Sequence, residues 1–155
     1  MITKNFKYLI LFLIINFGGL ALGSWLMNNG PNTDWYFNLA KAPWSPPGWV
    51  FGAAWTSIMI CFSIYLVFLF TKNYNQKKLT LFIIQFFLNV SWNYIFFNKH
   101  QVFIALISII LLTALIFFFF FHFNKEIKKA SYLLLPYMIW LCIATSLNLY
   151  ILIHN

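Results

Sequence analysis

Five long apolar runs separated by polar breaks make up most of the chain. They cover Tyr8–Met27, Pro47–Phe70, Leu79–Phe97, Val102–Phe123 and Tyr132–Ile153. Each reaches the roughly 20 mostly apolar residues that a helix needs to cross a bilayer. The breaks at 71–78, 98–101 and 124–131 are short and polar, so successive spans should run antiparallel. The connection Asn28–Ser45 is longer, and long loops in compact domains tend to be functional. The pattern predicts an all-α fold, with residues 1–155 forming one integral membrane domain, a five-helix transmembrane bundle.

Polar residues inside the runs fall on faces. In the third run Gln85, Asn89, Trp92, Asn93 and Phe96 follow the helical period. Amides are costly in lipid without partners, so this face should turn inward, either to join helices or to meet a ligand. The second run carries Trp49, Gly52, Trp55, Thr56, Met59 and Ser63 on one face, and the fifth carries Tyr137, Trp140, Ala144 and Asn148. Plain packing is the bland account of each stripe; one cavity under the first loop would use all three. Gly19 and Gly23 offer a face that another helix can approach closely. The fourth run has few polar groups, and Phe117–Phe121 reads as lipid-facing bulk. That helix should be among the most lipid-exposed and the least suited to building a site.

The stretch Trp35–Thr56 stands apart, with four of the seven tryptophans and three of the five prolines. Pro46 and Pro47 suit a first helical turn, and Ser45 before them is placed to cap it. Pro136 lies in the early turns of the fifth run, where proline bends an axis; Ser131 is its expected cap. An interfacial aromatic belt accounts for some of the rings near the loop. The density of the rest suggests a cover over a pocket for a flat apolar ligand.

Composition narrows the chemistry. At 63% hydrophobic and 8% charged, the chain is far from the about 25% charged residues of a soluble domain. Cys61 and Cys142 lie in apolar runs, which suits small core residues rather than a disulfide framework. The charge of +8 comes from ten lysines. They sit between apolar runs rather than on one basic face, so nucleic acid is not an expected partner. Eight fall on one side of the predicted membrane, and only Lys41 and Lys99 on the other. The positive-inside rule then places the N-terminus in the cytoplasm, with the 28–45 loop and the C-terminus outside. Lys4, Lys7 and Ala21–Ser24 also fit a cleaved leader, but the apolar run continues to Met27 and is read as a span.

Asp34 and Glu126, the only acids, fall in connections. An ion-coupled pump and a general acid–base pair within the spans therefore have no candidates. His100, His122 and His154 lie near the membrane surfaces without metal-ligand spacing.

Three sets of residues carry a family resemblance. The first is Trp35-Tyr36, Leu39-Ala40-Lys41, Pro43-Trp44-Ser45-Pro46-Pro47, Trp49-Val50-Phe51-Gly52 and Trp55-Thr56. The second is Asn89, Trp92-Asn93 and Phe96-Phe97; the third is Pro136-Tyr137, Trp140, Ala144 and Leu147-Asn148. Together, over about residues 8 to 150, they resemble the TspO/MBR family, the tryptophan-rich sensory proteins related to the mitochondrial translocator protein. The resemblance implies a five-helix membrane bundle, commonly a homodimer, whose first loop closes a ligand cavity. It implies a porphyrin (protoporphyrin IX or haem-like) as ligand, isoquinoline or benzodiazepine-type ligands in some members, and no required cofactor.

Carried over by motif, the ligand-binding residues would be Tyr36, Trp44, Trp49, Asn89, Trp92, Trp140 and Ala144. Light-dependent porphyrin breakdown is a second implied activity, with Trp49 and Trp140 as the participating indoles. Transport of porphyrin or a small lipid is a third, and a purely structural scaffold a fourth. The implied location is a bacterial inner or cell membrane. Two positions depart from the family pattern. Ala42 stands where proline is frequent, and Leu149-Tyr150 is followed by His154 rather than Lys or Arg, so the sterol motif is incomplete.

Overall fold

The structure, a computed structural model, describes residues 2–155. The order is α1 (Ile2–Leu26), a 3-10 turn (Gly30–Asn32), α2 (Asp34–Asn38), α3 (Gly48–Lys72), α4 (Gln76–Asn93), a π-turn (Tyr94–Asn98), α5 (Val102–Ile127), a 3-10 stretch (Lys128–Leu134) and α6 (Leu135–His154). No β-strand occurs among the described residues. Four continuous helical stretches are long and apolar enough to cross a membrane. The last, Val102–His154, is 53 residues long, far more than one crossing requires. It doubles back at the 3-10 stretch: Asn148 near the end of α6 donates to the Val102 carbonyl at the start of α5 at 3.1 Å. The five expected spans are therefore α1, α3, α4, α5 and α6.

Lipid chains are as apolar as leucine, so packing and interhelical hydrogen bonds arrange such helices. The amides do this here. Asn16 on α1 donates to Ser63 Oγ on α3 at 2.8 Å. Gln85 on α4 donates to the Tyr137 hydroxyl on α6 at 2.9 Å. The Tyr65 hydroxyl on α3 donates to the Phe119 carbonyl on α5 at 3.2 Å, and Thr113 and Thr145 pair across α5 and α6 at 3.3 Å. The bonds of Asn16, Gln85 and Tyr65 are buried inside the bundle.

Gly19 and Gly23 are used within the chain. A Cβ on Gly19 would lie 2.7 Å from the Phe86 ring, and one on Gly23 would lie 2.7 Å from Asn93 Nδ2. These glycines let α4 approach α1, and Ala105 and Ser108 on α5 are likewise buried inside the bundle. Gly19→Val should therefore cost about 1–3 kcal/mol through overpacking. Gly18 has nothing within 4 Å of its would-be Cβ, so Gly18→Ala should be neutral or gain up to about 1 kcal/mol. Thermal melting of both variants in detergent checks the contrast; equal losses would remove the close-approach account.

Several local expectations need correction. Pro46 and Pro47 precede α3 rather than opening it, and Pro47 holds the cap position at φ −58°, ψ 150°. Ser45 does not cap α3; its N–H closes a turn onto the Ala42 carbonyl at 2.9 Å. Ser131 does not cap α6, which starts four residues later, and its buried hydroxyl has no partner. Pro136 sits in the first turn of α6, where its missing N–H disturbs nothing, so it starts the helix rather than bending it. The phenylalanine run is not uniformly lipid-facing. Phe121 is exposed, whereas Phe119 is fully buried against Phe62 and Tyr65. One face of α5, from Ala105 to Ile127, belongs to the core.

Candidate functional site

The 28–45 connection folds back over the ends of α1, α3, α4 and α6. Asn28 and Asn29 turn the chain at φ 47° and 59°, a left-handed region that asparagine tolerates better than most residues. Gly30 is buried directly against Phe97, where a side chain would collide with the Phe97 Cβ. Thr33 then caps α2 by accepting from the Tyr36 N–H at 3.4 Å. At the other end of the connection, the Asn155 amide accepts from the Ala40 N–H at 2.9 Å and donates to the Ala40 carbonyl at 3.3 Å. The Trp44 indole donates to Ser146 Oγ at 3.1 Å and sets its ring edge-on to Tyr150. The loop is thus fastened to the last turns of α6.

This fastening is testable. Asn155→Ala combined with Trp44→Phe removes four hydrogen bonds, three of them between the loop and α6, each worth about 0.5–1.5 kcal/mol. Amide exchange at Ala40 should speed up by about tenfold or more, while exchange in mid-α5 stays unchanged. Unaltered exchange at Ala40 would show that the loop holds without the latch.

Beneath the loop lies a cavity of about 650 Å³. Its walls come from α1 (Gly19, Leu20, Ser24, Met27), the loop (Asn32, Tyr36, Phe37, Lys41), α3 (Gly48, Phe51, Gly52, Trp55, Thr56), α4 with its π-turn (Asn89, Trp92, Asn93, Phe96, Phe97) and α6 (Ala144, Leu147, Asn148, Ile151). A side chamber of about 40 Å³ adjoins it, sharing Phe51, Trp55, Asn89, Trp92 and Ala144 and adding Ile109, Leu112 and Trp140. Gly48 and Gly52 keep the α3 wall open, since a Cβ on either would meet nothing within 4 Å.

The α4 wall is rigid for identifiable reasons. Trp92 Nε1 donates to Asn148 Oδ1 at 3.1 Å, and its ring stacks on Phe96 with centroids 5.0 Å apart. The π-turn, a feature frequent at functional sites, sets Phe97 edge-on to Trp92 and against Tyr36 at 5.3 Å. Tyr36 is largely covered, and burial raises its phenol above the ordinary value, so at neutral pH it is an O–H donor. The Lys41 ammonium lies 4.5 Å from the Tyr36 ring centroid and lines the mouth. It is the cavity's one lysine. Asn148 spends both ends of its amide on other helices, and Gln85 donates to Tyr137 while its buried carbonyl oxygen has no partner. Asn89 and Asn93 make no such bond among the described residues and face the cavity. Trp140 Nε1, buried beside the side chamber, also lacks a partner.

Of the residues expected to bind ligand, Tyr36, Asn89, Trp92 and Ala144 line the main cavity, and Trp140 lines the side chamber. Trp44 and Trp49 do not line either. Trp44 is 54% exposed and serves the latch; Trp49 is 75% exposed and points away from the bundle. The reason is positional: Trp49 belongs to the first turn of α3. Trp55, on the same stripe, takes the inward place instead, with Phe51 one turn earlier. The three histidines stack on Trp35, Phe118 and Tyr150 and none lines the cavity.

The comparisons agree with this architecture. A model of the TspO/MBR family matches residues 10–154. The chain belongs to the TspO/MBR family. Among its relatives is the tryptophan-rich protein TspO of Chlorobaculum tepidum, 35% identical over 127 residues, covering 79% of this chain and 80% of the relative. The tryptophan-rich sensory protein of Cereibacter sphaeroides is 30% identical over 115 residues, covering 74% and 73%. The human translocator protein is 31% identical over 135 residues, covering 84% and 79%. This TspO/MBR chain is an integral membrane protein by both its spans and its family.

Proposed function

We propose that the cavity under the loop binds a porphyrin-like tetrapyrrole. The observation that carries this reading is one roofed, ring-lined space of about 650 Å³ with two unpaired amides inside and one lysine at its mouth. That volume falls within the roughly 300–1,000 Å³ of small-molecule pockets. A flat ring system gains most from stacking, about 0.5–1.5 kcal/mol per aromatic face beyond buried area. Trp55, Trp92, Phe96 and Phe97 supply such faces; Asn89 and Asn93 orient polar edges; Lys41 meets a carboxylate at the mouth. Isoquinoline or benzodiazepine-type ligands would use the same faces and amides.

The test is a titration of protoporphyrin followed by the shift in its own absorbance, so that removing an indole does not alter the signal. Saturable binding is expected. Asn89→Ala should weaken it about three- to tenfold, the value of one hydrogen bond. Trp49→Phe should leave it unchanged. A non-saturating signal, or an Asn89→Ala variant that binds as well as the parent, would sink the reading.

A second reading is light-driven oxidation of the bound porphyrin. It is favoured by the convergence of Trp55 and Trp140 on the side chamber, and it replaces Trp49 by Trp55 as the participating indole. Product spectra under illumination decide it; a rate equal to that in empty detergent would end it. The orientation follows from the lysine-rich end, which the positive-inside rule assigns to the cytoplasm; reporters fused to each terminus check this. A homodimer, if formed, needs a face other than Gly19 and Gly23, which α4 already covers.

A further inference from the structure

The end of the bundle remote from the cavity is a lysine collar. Lys4 and Lys7 at the start of α1, Lys72 and Lys77 between α3 and α4, and Lys125, Lys128 and Lys129 at the α5–α6 corner all stand exposed. The only acid there, Glu126, is already engaged: its carboxylate binds buried Lys78, and its carbonyl accepts from Lys72. The cavity end holds only Lys41 and Lys99 against Asp34. Nearly all of the charge of +8 is therefore gathered at one end. Exposed Phe6, Tyr74 and Tyr132 stand among these lysines. Such rings settle at the depth of lipid headgroups.

The α5–α6 corner adds an independent observation. Lys128 ends α5 by donating its N–H to the Asn124 carbonyl, at φ 50° and ψ −121°. Glycine adopts that backbone without strain, whereas a residue with a Cβ does not. A lysine with an exposed side chain occupies a place where the backbone alone favours glycine.

We propose that this collar binds anionic phospholipid headgroups, with Lys125, Lys128 and Lys129 at the corner as its main contact. A lipid suits the site better than a free phosphate because it brings phosphate oxygens to the ammonium groups and an acyl chain to the exposed rings together. Each lysine near a charged leaflet is worth about fivefold in preference.

Native mass spectrometry of the protein in non-ionic detergent, with equimolar phosphatidylglycerol and phosphatidylcholine, tests this. The expected result is a predominance of phosphatidylglycerol adducts. The triple variant Lys125→Gln, Lys128→Gln, Lys129→Gln should lower that preference by on the order of 100-fold, and Lys99→Gln at the opposite end should not change it. Lys128→Gly is the sharper variant: its melting temperature should equal or exceed the parent's while the phosphatidylglycerol preference falls about fivefold. Equal retention of the two lipids would overturn the proposal. So would identical behaviour of the triple variant and Lys99→Gln, or binding of acyl-free glycerol phosphate as tight as that of the lipid.

Discussion

Ala144→Phe should abolish porphyrin binding, with an affinity loss of at least about 100-fold, while the bundle stays folded. Ala144 lines both the main cavity and the side chamber. The side chamber, at about 40 Å³, is far smaller than the main cavity of about 650 Å³, so the main cavity offers the added phenyl ring most of the space. In the main cavity it takes the place of ligand rather than of core. The bundle is spared because that cavity absorbs the added volume, so the overpacking cost stays at the low end of about 1–3 kcal/mol. The loss combines excluded stacking against Trp92 and Trp55 with blocked access to Asn89, and about 2.7 kcal/mol corresponds to 100-fold. Absorbance titration together with a melting curve checks both halves. Ligand affinity within threefold of the parent would mean that the flat ligand does not lie against α6.

Glu126→Gln, in the last turn of α5, should cost about 3 kcal/mol of stability. Lys78 is almost wholly buried, and its ammonium meets Glu126 Oε1 at 2.5 Å, the Asn73 carbonyl at 2.7 Å and the Leu69 carbonyl at 3.2 Å. It therefore caps the carbonyls at the end of α3 while sitting on α4, and Glu126 from α5 balances its charge. Neutralising Glu126 leaves a buried cation facing only dipoles. The double variant Lys78→Met with Glu126→Gln should recover a large part of the loss, because two uncharged side chains need no pairing. Chemical denaturation in mixed micelles would report both. A single variant as stable as the parent, or a double variant worse than the sum of the singles, would show that the pair is not what joins these three helices.

Much of the fold could be read along the chain because the bilayer imposes it. A run of apolar residues long enough to cross, ended by lysine or asparagine, has few alternatives once backbone groups must be satisfied internally. The inward faces of α4 and α6 were legible for the same reason: Gln85, Asn89, Trp92, Asn93 and Asn148 are too polar to meet lipid. The cavity under the long loop was legible as a convergence of stripes. The choice between neighbouring indoles on α3 was not. Trp49 and Trp55 lie six residues apart in α3, about 120° around the helix, at opposite edges of one broad stripe, and only the packing of α3 decided which edge turns inward. Asn155 gave no local signal either, since its partner Ala40 is 115 positions away.

From the sequence alone came the number of spans, the family, the lysine asymmetry and the set of polar faces, since each depends on the local period and on transfer between water and lipid. Which glycines receive which rings, which amides stay unpaired, and which lysine meets Glu126 were decided only when the helices packed. Those outcomes depend on distances between residues far apart in the chain, and a helical period carries no information about the rotation and height at which one helix stands against another.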